Sequence, residues 1–191
     1  MSLQSLIKRA IDTPVSFAFI KRVAGKSVKI RMVDHESGLP EKPSLSDLFK
    51  GKEAVAILLH ILQGKTPIGH WVVLLKATAS RKIQFFDSLG LGLYKLYDLT
   101  HESPKLLHAL KGHAWANQTV QLQRFGSHYR ECGAFVAIRA KFHKLTNGAF
   151  TRLIKSYNKT KPDETAVLLV LLHYLEDEKI DITSKKFKRI K

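Results

Sequence analysis

The one cysteine of the chain, Cys132, stands where a cysteine makes a useful nucleophile. Beyond it Phe135, Ile138, Phe142 and Leu145 recur at three- and four-residue spacing, with Arg139, Lys141 and Lys144 on other faces, which predicts a helix headed by the cysteine. At a helix start the unpaired N–H groups and the positive end of the dipole favour an anion, and the thiolate is the form of cysteine that attacks a carbonyl carbon. Gly133 beside it leaves room for a substrate backbone or another group to come close. A lone cysteine ahead of an apolar helix is more commonly an inert core residue, so the chemistry depends on a base.

A candidate base lies upstream. The apolar runs AVAILLHIL and WVVLL predict strands over 54–62 and 71–77 that are covered on both faces, and a third strand follows over 82–86. The connection TASRK reads as a hairpin turn. If it is centred between residues 78 and 79, His70 lies directly opposite Asp87, on one face of the sheet and with Cβ atoms roughly 5 Å apart. Such a carboxylate holds one imidazole nitrogen, fixes the tautomer and leaves the other nitrogen as a base. A slip of one residue would send the two side chains to opposite faces. Without the cysteine, His70 would read as a strand-edge histidine and Asp87, in DSLGLG, as a turn residue.

The elements that must position these groups follow from the remaining pattern. A short amphipathic helix is expected over 2–11, extended segments over 15–23 and 27–32, a polar loop DHESGLPEKPS, and a short helix over 44–49 with Ser46 as its cap. The stretch 93–99 leads into a helix over 103–111, capped by Ser103 with Pro104 in its first turn and ended by Gly112. A strand over 119–123 and the loop FGSHYRE then deliver Cys132. Asn147 and Gly148 stop the cysteine helix, and further helices are expected over 150–157 and from Pro162 to about Leu175.

The whole reads as one domain over 1–178 with a basic tail over 179–191. An apolar fraction of 45% with 25% charged residues suits a folded protein with a core. One cysteine makes no internal disulfide, and without a CxxC pair or an HExxH run no metal or other cofactor is expected. The opening MSLQSLIKRAID has no apolar signal core, and the longest apolar run, 166–172, falls far short of the ~20 residues that cross a bilayer. A soluble protein of a reducing compartment is expected, with no membrane partner. Thirty-two Lys and Arg against 16 Asp and Glu give a net charge of +16, which calls for a polyanion partner, DNA foremost. No helix-turn-helix, finger or RNP motif suggests sequence-specific reading.

In order, the chain carries Gly69-His70-Trp71, then Phe85-Phe86-Asp87-Ser88-Leu89-Gly90, then Gln121 or Gln123, then Cys132-Gly133. This order and spacing, over residues 54–145, resembles the adenovirus-type maturation cysteine proteases, a family in one clan with the SUMO-deconjugating peptidases, and is most similar to those of virophages and large DNA viruses. The resemblance implies an α+β, papain-like fold of the adenovirus protease type, in which a central mixed sheet packs against the cysteine helix. It implies Cys132 as nucleophile, His70 as base and later acid, Asp87 as the group orienting His70, and Gln123, or else Gln121, as oxyanion donor beside the Cys132 backbone N–H. Losing one such donor typically adds about 3 kcal/mol to the barrier. Trp71 would close the histidine side of the cleft, unless it is an ordinary core aromatic. The implied substrates are capsid and core precursors, cleaved by a monomeric enzyme in the virion and the host-cell virus factory. A deconjugating peptidase for ubiquitin-like proteins and a non-catalytic, DNA-associated virion protein are the alternatives.

Overall fold

Alternation along the two longest strands decides the layering. In the computed structural model of the chain, β2 (Ala54–Gln63) and β3 (Thr66–Lys76) pair antiparallel, Ala54 opposite Leu75 and Leu59 opposite His70. Successive side chains point to opposite faces. Ala54, Ala56, Trp71, Val73 and Leu75 therefore enter one buried cluster, while Val55, Ile57, Leu59, Val72 and Leu74 enter another. Both faces are covered, as the uninterrupted apolar runs require. On one side β1 (Ile30–Asp34) joins β2 in parallel; on the other β4 (Ile83–Phe86) joins β3 antiparallel, and β5 (Trp115–Asn117) joins β4 in parallel. The result is an α+β chain with a mixed five-stranded sheet in the order β1-β2-β3-β4-β5.

The structure describes residues 15–63, 66–100, 103–124 and 131–177. The expected helix at 2–11, residues 125–130 of the loop before Cys132, the domain boundary at 178 and the basic tail lie outside them. Helices α1 (Phe17–Ala24), α5 (Glu131–Lys141), α6 (Asn147–Tyr157) and α7 (Pro162–Asp177) cover one face through Ile20, Phe135, Phe150 and Ala166. Helices α2 (Leu45–Phe49), α3 (Gly92–Leu99) and α4 (Lys105–Leu110) cover the other through Leu48, Leu96 and Leu106. Among the described residues no helix is long and apolar enough to cross a membrane.

Several local expectations are corrected. Residues 15–23, expected extended from their aromatic and β-branched content, form α1, whose N-cap Ser16 accepts the Phe19 N–H and whose Ile20, Val23 and Ala24 are buried. Packing against α5 outweighs the local propensity. The cap of α2 is Ser44 rather than Ser46: its hydroxyl accepts from Asp47 N while the Asp47 carboxylate accepts from Ser44 N, a reciprocal capping box. Helix α4 has no side-chain cap from Ser103 or Pro104. Buried Glu36 accepts from the Lys105 and Leu106 N–H groups instead, and from the Tyr97 hydroxyl. Residues 93–99 lie in a helix, and residues 119–123 are no strand, the fifth strand being the short β5 before them. Asn147 and Gly148 do not stop α5, which already ends at Lys141; they begin α6, capped by Thr146.

The largest correction concerns α5. The spacing predicts one apolar face, yet Cys132 to Ala140 are all buried, Arg139 included. The helix is central, held between β3, α1 and α7.

Candidate active site

The site is built where β4 ends. Past Phe86 the chain turns tightly over Asp87–Gly90, with Gly90 N–H donating to the Asp87 carbonyl at 3.1 Å and Gly90 at φ 70°. The Asp87 carboxylate folds back on its own turn: Oδ1 accepts from Leu89 N at 3.0 Å and Oδ2 from Leu91 N at 2.9 Å. Asp and Asn favour such turns because the short side chain reaches the backbone that follows it. Here it fixes a carboxylate with no solvent-exposed surface.

His70 Nε2 meets Asp87 Oδ1 at 2.7 Å, both side chains buried. The contact is the one the hairpin argument expects, but the register is not. Val73 pairs with Phe86 and Leu74 with Phe85, so the turn is centred one residue later and the continued ladder sets Asp87 opposite Val72. An offset of two positions preserves the face, whereas an offset of one would reverse it. Diagonal neighbours on one face stand roughly 7 Å apart, within reach of an imidazole and a carboxylate.

The second partner of His70 is the Cys132 side chain, which hydrogen-bonds the ring. Cys132 is the second residue of α5 and only 2% exposed. Strand parity sets His70 with Val72 and Leu74, on the face away from α5. However, β4 pairs with β3 only from Val73 to Lys76. At His70 no β4 residue is paired alongside, and the ring meets Cys132 at the head of α5.

The site's electrostatics follow from these contacts. Burial alone would push the His70 pKa down; the hydrogen bonds the imidazolium makes to Asp87 and Cys132, with their charges, outweigh it and push the pKa up to about 10. At neutral pH His70 is therefore a buried cation between a carboxylate and a sulfur. An imidazolium in that position stabilises an adjacent thiolate and carries a proton for a leaving group.

Of the two glutamines, Gln123 is buried and tied to the same turn. Its backbone N–H donates to the Ser88 carbonyl at 2.9 Å, and the Ser88 hydroxyl donates to its Oε1 at 2.7 Å. With its oxygen so held, the amide directs its NH2 group elsewhere. Gln121 is exposed, and its Nε2 donates to the Gln123 carbonyl at 2.9 Å. Residues 120–121 press on Gly90 so closely that a Cβ there would come within 2.6 Å of Gln121 N. Gly90 thus serves both the left-handed turn and the approach of the glutamine segment. Ser88 belongs to the DSLG motif, but its bond to Gln123, 35 residues ahead, has no local sign in the sequence.

No known family model matches this chain, and no curated protein does. The geometry therefore stands on its own.

Trp71 and Gly133 both meet the chain's own residues at 15–17. Trp71 is buried and packs edge-on against Phe17, with ring centroids 5.3 Å apart, while a Cβ at Gly133 would come within 2.5 Å of Val15. The close approach that Gly133 permits is thus made by Val15. Among the described residues no three His, Cys, Asp or Glu side chains group to hold a metal ion.

Proposed function

We propose that this chain is a cysteine endopeptidase of the adenovirus-type maturation class that cleaves capsid or core precursor proteins during virion assembly. The observation that carries the reading is His70 held between Asp87 and Cys132. Nucleophilic catalysis by cysteine needs this order: a sulfur, a base within hydrogen-bond reach and a group orienting the base. The DSLG turn and Gln123 complete the motif series of the family the sequence resembles.

The Cys132 sulfur attacks the scissile carbonyl carbon, and the negative charge passes to the carbonyl oxygen. Gln123 Nε2 and the Cys132 backbone N–H donate to that oxygen. His70 gives its proton to the departing amine as the thioester forms, then takes one from the water that hydrolyses the thioester. Asp87, fixed by its turn amides, keeps the ring in one tautomer throughout. A net charge of +16 supports DNA as a companion in the virion.

The test is cleavage of a capsid or core precursor by the wild-type chain and by Cys132→Ala. Cleavage by the wild type alone, with Tm unchanged in the variant, is the expected result, and cleavage by the variant would overturn the reading. Release of a ubiquitin-like modifier from an isopeptide substrate, with the precursor left intact, would replace it by the deconjugating alternative. Gln123→Ala is expected to lower kcat by about 10²–10³-fold. Gln121→Ala, which removes an exposed brace, is expected to lower it far less, as peptide turnover would measure.

A further inference from the structure

Away from this site, α1, the start of β1, the loop before β2 and the end of α5 enclose a cavity of about 500 Å³. Its ten lining residues include Lys21, Arg22, Lys26, Lys29, Lys52 and Lys141, and none is acidic. Nearby Glu53 is turned to the strand, where its carboxylate accepts from the Lys29 backbone N–H at 3.2 Å. Three of the cations have a structural duty: Lys21 and Arg22 occupy the last turn of α1 and Lys141 the last turn of α5, where positive charge complements the helix dipole. Arg22 and Lys141 also have interaction partners of their own. Lys26, Lys29 and Lys52 end no helix. They lie on a loop, at a strand entrance and on a second loop, are exposed, and line the same concavity.

We propose that this cavity binds a compact polyphosphate anion, with Lys26, Lys29 and Lys52 as the residues that recognise it. Like charges around one concavity repel, and an anion of several negative charges reverses the sign of that energy. The volume is that of a small-molecule site, and a half-open concavity with its cations gathered around it suits a compact ligand better than the long cylinder of duplex DNA, which requires a track of cations along its backbone. Lys141 is nine residues from Cys132 on α5, about 14 Å along the helix axis, so the two sites are distinct.

The experiment is thermal unfolding of the full chain with inorganic tripolyphosphate at constant ionic strength, with sulfate as control. Tm is expected to rise by roughly 5–10 °C at about a hundredfold excess over Kd. The triple variant Lys26→Ser, Lys29→Ser, Lys52→Ser should weaken binding at least about tenfold, while Lys95→Ser with Lys111→Ser, on the opposite layer, should retain it. Lys52→Glu alone provides the same comparison if the triple variant does not unfold cooperatively. Four outcomes would overturn the proposal: no shift, an equal shift with sulfate, an undiminished shift in the variants at 26, 29 and 52, or a shift with duplex DNA and none with tripolyphosphate.

Discussion

Alanine at His70 is expected to slow alkylation of Cys132 by iodoacetamide at pH 7 by about tenfold or more, because the variant lacks the imidazolium that favours the thiolate over the thiol. Loss of cleavage should be far greater, since the variant lacks both the base and the proton donor. Asp87→Asn tests the same arrangement more finely. Burial pulls the His70 proton off; Asp87, through its hydrogen bond and its charge, is one of the two groups that restore it. Expulsion of the amine needs a protonated His70, so the alkaline fall in wild-type activity should come as pH rises through about 10. In Asp87→Asn burial prevails, and that alkaline limb should move down toward neutrality while kcat falls by about 10²–10⁴-fold. Stability carries the same sign. The folded-state pKa of about 10 lies above the ordinary 6.5, so the contribution of His70 is fully present below about 6.5 and is lost as pH rises through about 10. The wild type's stability advantage over His70→Ala should therefore shrink across that interval. An advantage that grows with pH, or alkylation rates equal in wild type and His70→Ala, would refute the role assigned to His70.

The parts of the site legible in the sequence are those set by short periodicities. Helical spacing after Cys132 locates the head of α5, and alternation in two adjacent runs locates the β3–β4 hairpin. The register lies two positions from the one the turn sequence predicts, yet the His70–Asp87 contact survives because strand faces repeat every two residues. What was not legible depends on groups distant in the chain. Ser88 holds the Gln123 amide through a bond that spans 35 residues, and Glu36 caps α4 from 69 residues away. The three residues of β5 are too few to show an alternation, whereas 119–123 alternates without pairing. Burial all round α5 could not be read from its pattern either, because Arg139 marks an exposed face wherever no partner for it is visible.

That arginine carries the largest expected effect on stability. Its guanidinium has no exposed surface and no carboxylate partner among its hydrogen bonds: Nη1 donates to the Phe142 carbonyl at 2.9 Å, Nη2 to the Leu145 carbonyl at 2.8 Å, and Nη2 and Nε to Asn147 Oδ1 at 3.3 and 3.4 Å. Burial pushes its pKa down to about 9, so it remains charged at neutral pH, with the Phe150 and Phe86 rings 5.1 and 5.9 Å away. Asn147 continues the chain of bonds, donating Nδ2 to the Phe85 carbonyl at 2.8 Å. Arg139 thus joins the far end of the cysteine helix to the strand that leads into Asp87. Arg139→Met fills much of the volume but leaves the Leu145 carbonyl and the Asn147 amide oxygen without donors, while the Phe142 carbonyl keeps the Leu145 N–H; each orphaned acceptor costs about 1–3 kcal/mol when buried. Relief from burying a cation offsets part of this, and a net loss of about 3 kcal/mol would lower Tm by roughly 6–12 °C. Arg139→Lys keeps a charge but not the planar fork that reaches three acceptors, and should fall between. Calorimetry of the two variants decides the matter: a Tm equal to wild type in Arg139→Met would mean that the network orders nothing. If the network does align helix and strand, alkylation of Cys132 in the folded Met variant should also slow toward the His70→Ala rate, an effect that loss of stability alone does not produce.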